Sequence, residues 1–184
     1  MLQVRKKITE SSAEEFIGKL LKRGHEAMIE HGVIMAKFVC DRGVSHEIVR
    51  HRIASFAQES TRYCDYSNNE HGKEITVIEP LFFKRGSPKY DTWRDAMYYA
   101  EQLYMSLLAH GATPQEARSV LPNSLKTETV ITMNIREWRH FFRLRALGTT
   151  GAPHPQMKQV ATLAFDIFKE NWPALFEDLE VVND

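Results

Sequence analysis

The chain has 184 residues, 43% hydrophobic and 10% aromatic, which is enough for a packed core and unlike a disordered composition. Lys plus Arg and Asp plus Glu number 24 each, and that neutrality argues against a general nucleic-acid binder, which needs a basic excess to neutralise phosphates. Cys40 and Cys64 form no C-x-x-C pair, so free thiols are expected rather than a disulfide scaffold or a metal site. The stretch "MLQVRKKITESSAEEF" lacks an apolar h-region, and the longest apolar run, "GVIMAKFVC", is broken by Lys37 and too short to span a bilayer. A soluble, cytoplasmic protein is the expectation.

In chain order, "ITESSAEEFIGKLLKRG" predicts a helix, with Ser11 or Ser12 and Glu14 or Glu15 as a capping box and Phe16, Ile17, Leu20 and Leu21 as its apolar stripe. "VIMAKFVCDR" predicts a strand. "GVSHEIVRHR" predicts a short helix, capped by Ser45, that delivers Arg50 and Arg52. "KEITVIEP" predicts a second strand, closed by Pro80. A long helix, "YDTWRDAMYYAEQLYMSLLAHG", stops at Gly111, and a short one follows with Pro114 in its first turn. "KTETVITMNI" predicts a third strand leading into the helix "REWRHFFRLRA", and a last helical region, "HPQMKQVATLAFDIFKENWPALFEDL", carries apolar residues at helical spacing. Strands and helices interleave, so an α/β (α+β) fold is expected: one domain over residues 1–184, with a central, mostly antiparallel sheet flanked by helices.

Several chemistries are excluded by spacing. His25 and His31 lie six apart with Ile29 between them, so the H-E-x-x-H pair of a zinc helix is missing. No G-x-S-x-G elbow surrounds Ser55 or Ser60, and no Asp is placed to orient His51. There is no G-x-G-x-x-G and no Walker loop, so a nucleotide would be held by side chains. Arginine suits that task, because its planar fork binds phosphate bidentately and keeps its charge. Arginines cluster twice, as Arg50, Arg52 and Arg62 and as Arg136, Arg139, Arg143 and Arg145. In a neutral chain this points to a small anionic ligand.

In "NIREWRHFFRLR", a helical turn of about 100° per residue puts Trp138, Phe141 and Phe142 on one face. Arg136, Arg139, His140 and Arg143 share the other, either as a solvated basic surface or as a ligand face. Arg145 falls inside the aromatic arc, where a charge is costly unless it meets an anion. A cation near a helix C-terminus is also favourable in its own right.

The segment "RHRIASFAQESTRY" resembles the signature of the flavin-dependent thymidylate synthases: R-H-R, seven residues, then S-x-R, here Arg50, His51, Arg52, Ser60 and Arg62. "GHEAMIEH", "ARSVLP" and "NIREWRHFFRLR" resemble three further segments of that family in the same order, so the likeness runs from about residue 24 to the early 160s. The resemblance implies reductive methylation of dUMP to dTMP, with 5,10-methylenetetrahydrofolate supplying the carbon, FAD carrying reducing equivalents and NADPH refilling the flavin. It further implies a homotetramer with shared active sites, and no enzyme cysteine attacking the uracil. No metal, nucleic-acid polymer or membrane enters.

Carried over by position, the resemblance assigns Arg50, His51, Arg52, Gln58, His25, Asn134, Arg136 and His140 to FAD. It assigns Glu47, Arg50, Ser60, Thr61, Arg62 and Arg118 to dUMP, with Arg118 on its phosphate side. Arg145 would face the uracil and favour ionisation at N3, making the carbon to be methylated more nucleophilic. Four residues depart from the family pattern: Ala27 in place of a Thr, Glu47 of a Gln, Ala57 of an Asn and His140 of an Asn. The competing expectations are a nucleotide- or nucleic-acid-binding module without catalysis, and another flavin oxidoreductase on the same fold.

Overall fold

The computed structural model describes residues 8–68 and 72–179. In chain order its elements are α1 (Ser12–Lys22), a 3-10 turn (Glu26–His31), β1 (Val33–Asp41), α2 (Arg42–Ile48), β2 (Ala54–Gln58) and α3 (Pro88–Ala109). There follow α4 (Pro114–Ala117), a 3-10 turn (Arg118–Val120), β3 (Lys126–Asn134), α5 (Ile135–Arg145), α6 (Pro155–Asn171) and α7 (Pro173–Phe176). The three strands form one small antiparallel sheet in the order β1-β3-β2, flanked by helices, as the mixed α/β reading expected.

Four local expectations are corrected. The capping box at α1 does not form: Ser11 has helical backbone angles and its side chain caps nothing, while Ser12 bonds back to Thr9. Asp41, not Ser45, caps α2, its carboxylate accepting from the Val44 amide at 2.7 Å. Ser45 lies inside that helix and donates to the Arg42 carbonyl. "KEITVIEP" is not a strand; it pairs with the start of β3 and the residues before it, through an isolated bridge from Val77 to Leu125 and the Lys126 amide donating to the Thr76 carbonyl at 2.8 Å. A strand does form where none was expected, inside the signature, as β2.

The described residues group into two compact units. The first comprises residues 8–35, 53–55 and 132–179. Its core is the aromatic face of α5: Trp138, Phe141 and Phe142 are fully buried, as their helical spacing predicts. Trp138 stacks on Phe142 at 5.7 Å and meets Phe168 of α6 at 4.9 Å, while Phe142 meets Phe176 of α7 at 5.7 Å. Burying an indole requires a partner for its N–H, and Trp138 Nε1 donates to the Ile34 carbonyl at 3.0 Å. Such rings contribute roughly 1.5–3 kcal/mol each in apolar burial, before chain entropy is subtracted.

The second unit comprises residues 36–52, 56–68 and 72–131. Tyr104 of α3 is its anchor, packed with Tyr66, Ile75, Ala117 and Leu125. The antiparallel register of β1 and β3 here is carried on by Arg42 N donating to the Leu125 carbonyl at 3.1 Å. Along β3, Thr127, Thr129 and Ile131 are buried and alternate with half-buried neighbours, the period-two pattern of a strand.

Candidate functional site

A cleft of about 500 Å³ lies in the first unit, lined by Glu26, Glu30, Ile53, Asn134, Arg136, Glu137, His140 and Arg143. The end of β3 and the first turns of α5 build one wall. Asn134 is the joint: it ends the strand and caps the helix, its Oδ1 accepting from the Glu137 amide at 2.8 Å. From there, residues 136, 140 and 143 recur at helical spacing and bring two guanidinium groups and an imidazole to the same cleft. A Glu137 carboxylate oxygen and a His140 ring nitrogen lie within 4.8 Å of each other. Burial raises the Glu137 pKa above the usual carboxylate value, and the charge of His140 opposes that shift.

Ile53 supplies the cleft's apolar edge. It is 77% exposed and has φ of +60°, the left-handed region that a β-branched residue enters only under strain. Such strain persists where the surrounding structure imposes it, and functional sites are where it concentrates.

The acidic side of the cleft comes from the 3-10 turn. The Glu26 carboxylate lies 3.1 Å from Arg143 Nη2, 3.7 Å from Arg136 Nε and 3.7 Å from Arg139 Nε. Glu30 takes the outer nitrogen of Arg136, Nη1. Sequence reasoning placed Arg139 on the polar face of α5, but the structure buries it to 1% exposure. It satisfies its charge inward, donating from Nη1 and Nη2 to Asp178 at 2.6 Å each and from Nη1 to the Leu175 carbonyl. Only its Nε is left without a hydrogen bond, facing Glu26. Sequence reasoning also missed Glu26 and Glu30 as cleft residues. They sit on one side of a short turn, but their arginine partners are more than a hundred positions away, and no local pattern joins the two.

Of the other expected residues in this unit, His25 precedes the 3-10 turn, exposed, and is not among the lining residues of the cleft. Arg145 is the last residue of α5 and is half-buried. Ala27 is exposed on the 3-10 turn.

The second unit holds the rest. The chain turns out of α2 through Arg50 N to the Glu47 carbonyl and His51 N to the Ile48 carbonyl. His51 is buried there, Arg50 and Arg52 are exposed, and Glu47 is half-buried. Gln58 donates to the hydroxyls of Ser45 and Thr127 at 2.9 and 3.2 Å, which ties its amide into the sheet. Ala57, beside it on β2, is exposed. Ser60 opens a turn, its carbonyl accepting from the Tyr63 and Cys64 amides, with Thr61 buried and Arg62 exposed. Arg62 reaches Gln115 of α4 at 3.5 Å, three residues before the exposed Arg118. Arg62 thus meets the short helix that leads to Arg118.

Neither cysteine is poised as a nucleophile. Burial, and then the nearby Asp41 charge, pushes the Cys40 thiol up to about 12. Burial and Glu59 raise Cys64 as well. Both stay protonated near neutrality, and the thiolate is the reactive form.

Comparisons with known proteins show the family of this chain. The family model described as thymidylate synthase complementing protein matches residues 2–174, and the chain belongs to that family. Relatives named flavin-dependent thymidylate synthase include one from Pyrococcus abyssi, 37% identical over 76% of this chain and 57% of the relative. One from Geobacter sulfurreducens is 33% identical over 78% of this chain and 60% of the relative. One from Corynebacterium aurimucosum is 30% identical over 93% of this chain and 72% of the relative. The chain thus spans less than two thirds of the length of the first two. No helix among the described residues is long and apolar enough to cross a membrane.

Proposed function

We propose that this protein is a flavin-dependent thymidylate synthase that methylates dUMP to dTMP in the cytoplasm. It uses 5,10-methylenetetrahydrofolate as carbon donor, FAD as cofactor and NADPH as reductant, and works as a homotetramer with shared active sites. The observation that carries the reading is the convergence of Asn134, Arg136 and His140 on one cleft. These three side chains come from the segment in which the family resemblance expects flavin contacts. Their amide, guanidinium and imidazole donors suit a ligand with an anionic diphosphate and a polar ring system.

When bound, FAD supplies the redox chemistry that the twenty amino acids lack. Asn134, Arg136 and His140, with His25, Arg50, His51, Arg52 and Gln58, would hold it. Ser60, Thr61 and Arg62 would bind dUMP, with Arg118 on its phosphate and Glu47 and Arg50 nearby. Arg145 would stand at the uracil and favour loss of the N3 proton, because a fixed cation beside a developing anion lowers the cost of that charge. The protonated states of Cys40 and Cys64 support a route in which no thiolate attacks the ring.

The test is direct. The purified protein should be yellow with a flavin spectrum, and should convert dUMP to dTMP when given methylenetetrahydrofolate and NADPH. Flavin oxidation of NADPH without a dUMP-dependent product would favour a different flavin oxidoreductase. No flavin uptake under any condition would sink the reading.

A further inference from the structure

Two carboxylates meet one arginine at the cleft, and they differ in everything except charge. Glu26 is 21% exposed in its side chain and touches three arginines, 136, 139 and 143, which stand one above another on α5. Through the buried Arg139 it joins a bidentate pair with the half-exposed Asp178. Glu30 is 42% exposed and, among the described residues, pairs with Arg136, whose own side chain is 52% exposed. An exposed ion pair of this kind is worth little and is exchanged easily for another anion. A part-buried carboxylate shared among three guanidinium groups is not, because its removal leaves several charges facing each other without compensation.

We propose that Glu26 and Glu30 act on Arg136 with opposite sign. Glu26 is a positioning residue that holds the arginine ladder against the cleft wall. Glu30 is a displaceable stand-in, whose carboxylate occupies the outer nitrogen of Arg136 until an anionic group of the ligand replaces it. The proposal rests on the reading of the cleft as a flavin site for the identity of the ligand, but not for the exchange itself. A ligand phosphate would exchange one anion for another at Arg136 Nη1, so that nitrogen would be paired with and without ligand. Glu26 would remain in place throughout and keep Nε directed along the wall.

The experiment uses the full chain with Glu30→Gln, Glu26→Gln and Glu26→Asp, titrated with FAD, riboflavin and inorganic pyrophosphate. Flavin binding is read by fluorescence quenching and pyrophosphate binding by thermal shift. Glu30→Gln should tighten FAD and pyrophosphate by about two- to fivefold, the range of an exposed ion pair. Riboflavin, which lacks phosphate, should bind that variant like wild type. Glu26→Gln should weaken FAD and pyrophosphate roughly tenfold, with Glu26→Asp recovering part of the loss. A purely structural role for Glu26 would instead weaken riboflavin to the same degree. If Glu30→Gln weakens FAD or pyrophosphate, or leaves both unchanged, the stand-in is overturned. If the pyrophosphate pattern holds while no variant and no wild-type protein takes up flavin, the exchange stands and the flavin reading falls.

Discussion

Arg139 and Asp178 form a double hydrogen bond at 2.6 Å on each side, with the guanidinium buried to 1% and the carboxylate half-exposed. This pair clamps the residues after α7 onto α5, the helix that forms the cleft wall. Removing only the acid strands a buried cation, which for a fully buried pair costs about 3–5 kcal/mol. Water can reach Asp178, so Asp178→Ala should cost about 2–3 kcal/mol in urea denaturation. Arg139→Met, which keeps the volume and removes the charge, should cost less. If Arg139→Met proves the more damaging of the two, the stranded-charge argument fails.

The same pair predicts a pH dependence. Burial alone would raise the Asp178 pKa, but hydrogen bonding and charge from Arg139 outweigh it and hold the carboxyl below its ordinary value. A depressed carboxyl stabilises the fold above its unfolded pKa, and that contribution is lost as pH falls through the folded value. Wild type should therefore lose more stability than Asp178→Asn on acidification below about pH 4, where free aspartate begins to protonate. Parallel curves in the two proteins would show that Arg139 does not hold the carboxylate ionised.

Asn134 caps α5 and lines the cleft at once. Asp is as good a cap as Asn, whereas Ala loses about 1 kcal/mol. Asn134→Asp should thus keep wild-type stability while replacing a donor with a negative charge at the cleft, and FAD affinity should fall roughly tenfold. Asn134→Ala should lower both. Equal flavin binding by Asn134→Asp and wild type would reduce this residue to a cap.

Ile53 is strained at φ of +60° and has little apolar area to lose, being 77% exposed. Ile53→Gly should raise unfolding stability by up to about 1 kcal/mol, because glycine enters this region freely. If the strain serves to hold an apolar edge over the cleft, the same variant should bind FAD more weakly while melting at a higher temperature. A glycine variant that is less stable would refute the strain.

Two variants test the roles of arginine and cysteine in the proposed reaction. Arg145→Ala should abolish dTMP formation yet retain the FAD absorbance, since Arg145 is assigned to the uracil. The double variant Cys40→Ala, Cys64→Ala should still turn over, and alkylation of the native protein near neutral pH should be slow, because burial keeps both thiols protonated. Loss of activity in the double variant with stability retained would restore a cysteine nucleophile.

Much of this protein is determined by local pattern. The aromatic arc of α5 follows from its apolar spacing, the β1 and β3 strands from their β-branched composition, and the long helix α3 from a helical run that ends at Gly111. The family signature could be read for the same reason, since its five residues lie within one short segment. Tertiary structure decided what depends on distant partners. The segment around Val77 formed no strand and instead pairs with the chain at the start of β3, with an isolated bridge to Leu125. Arg139, polar by spacing, went inward because Asp178, 39 positions on, could neutralise it there. Glu26 and Glu30 became cleft residues because folding brought them to arginines 106 to 117 positions away. A buried or shared charge is set by what compensates it, and that compensation is seldom a neighbour in the chain.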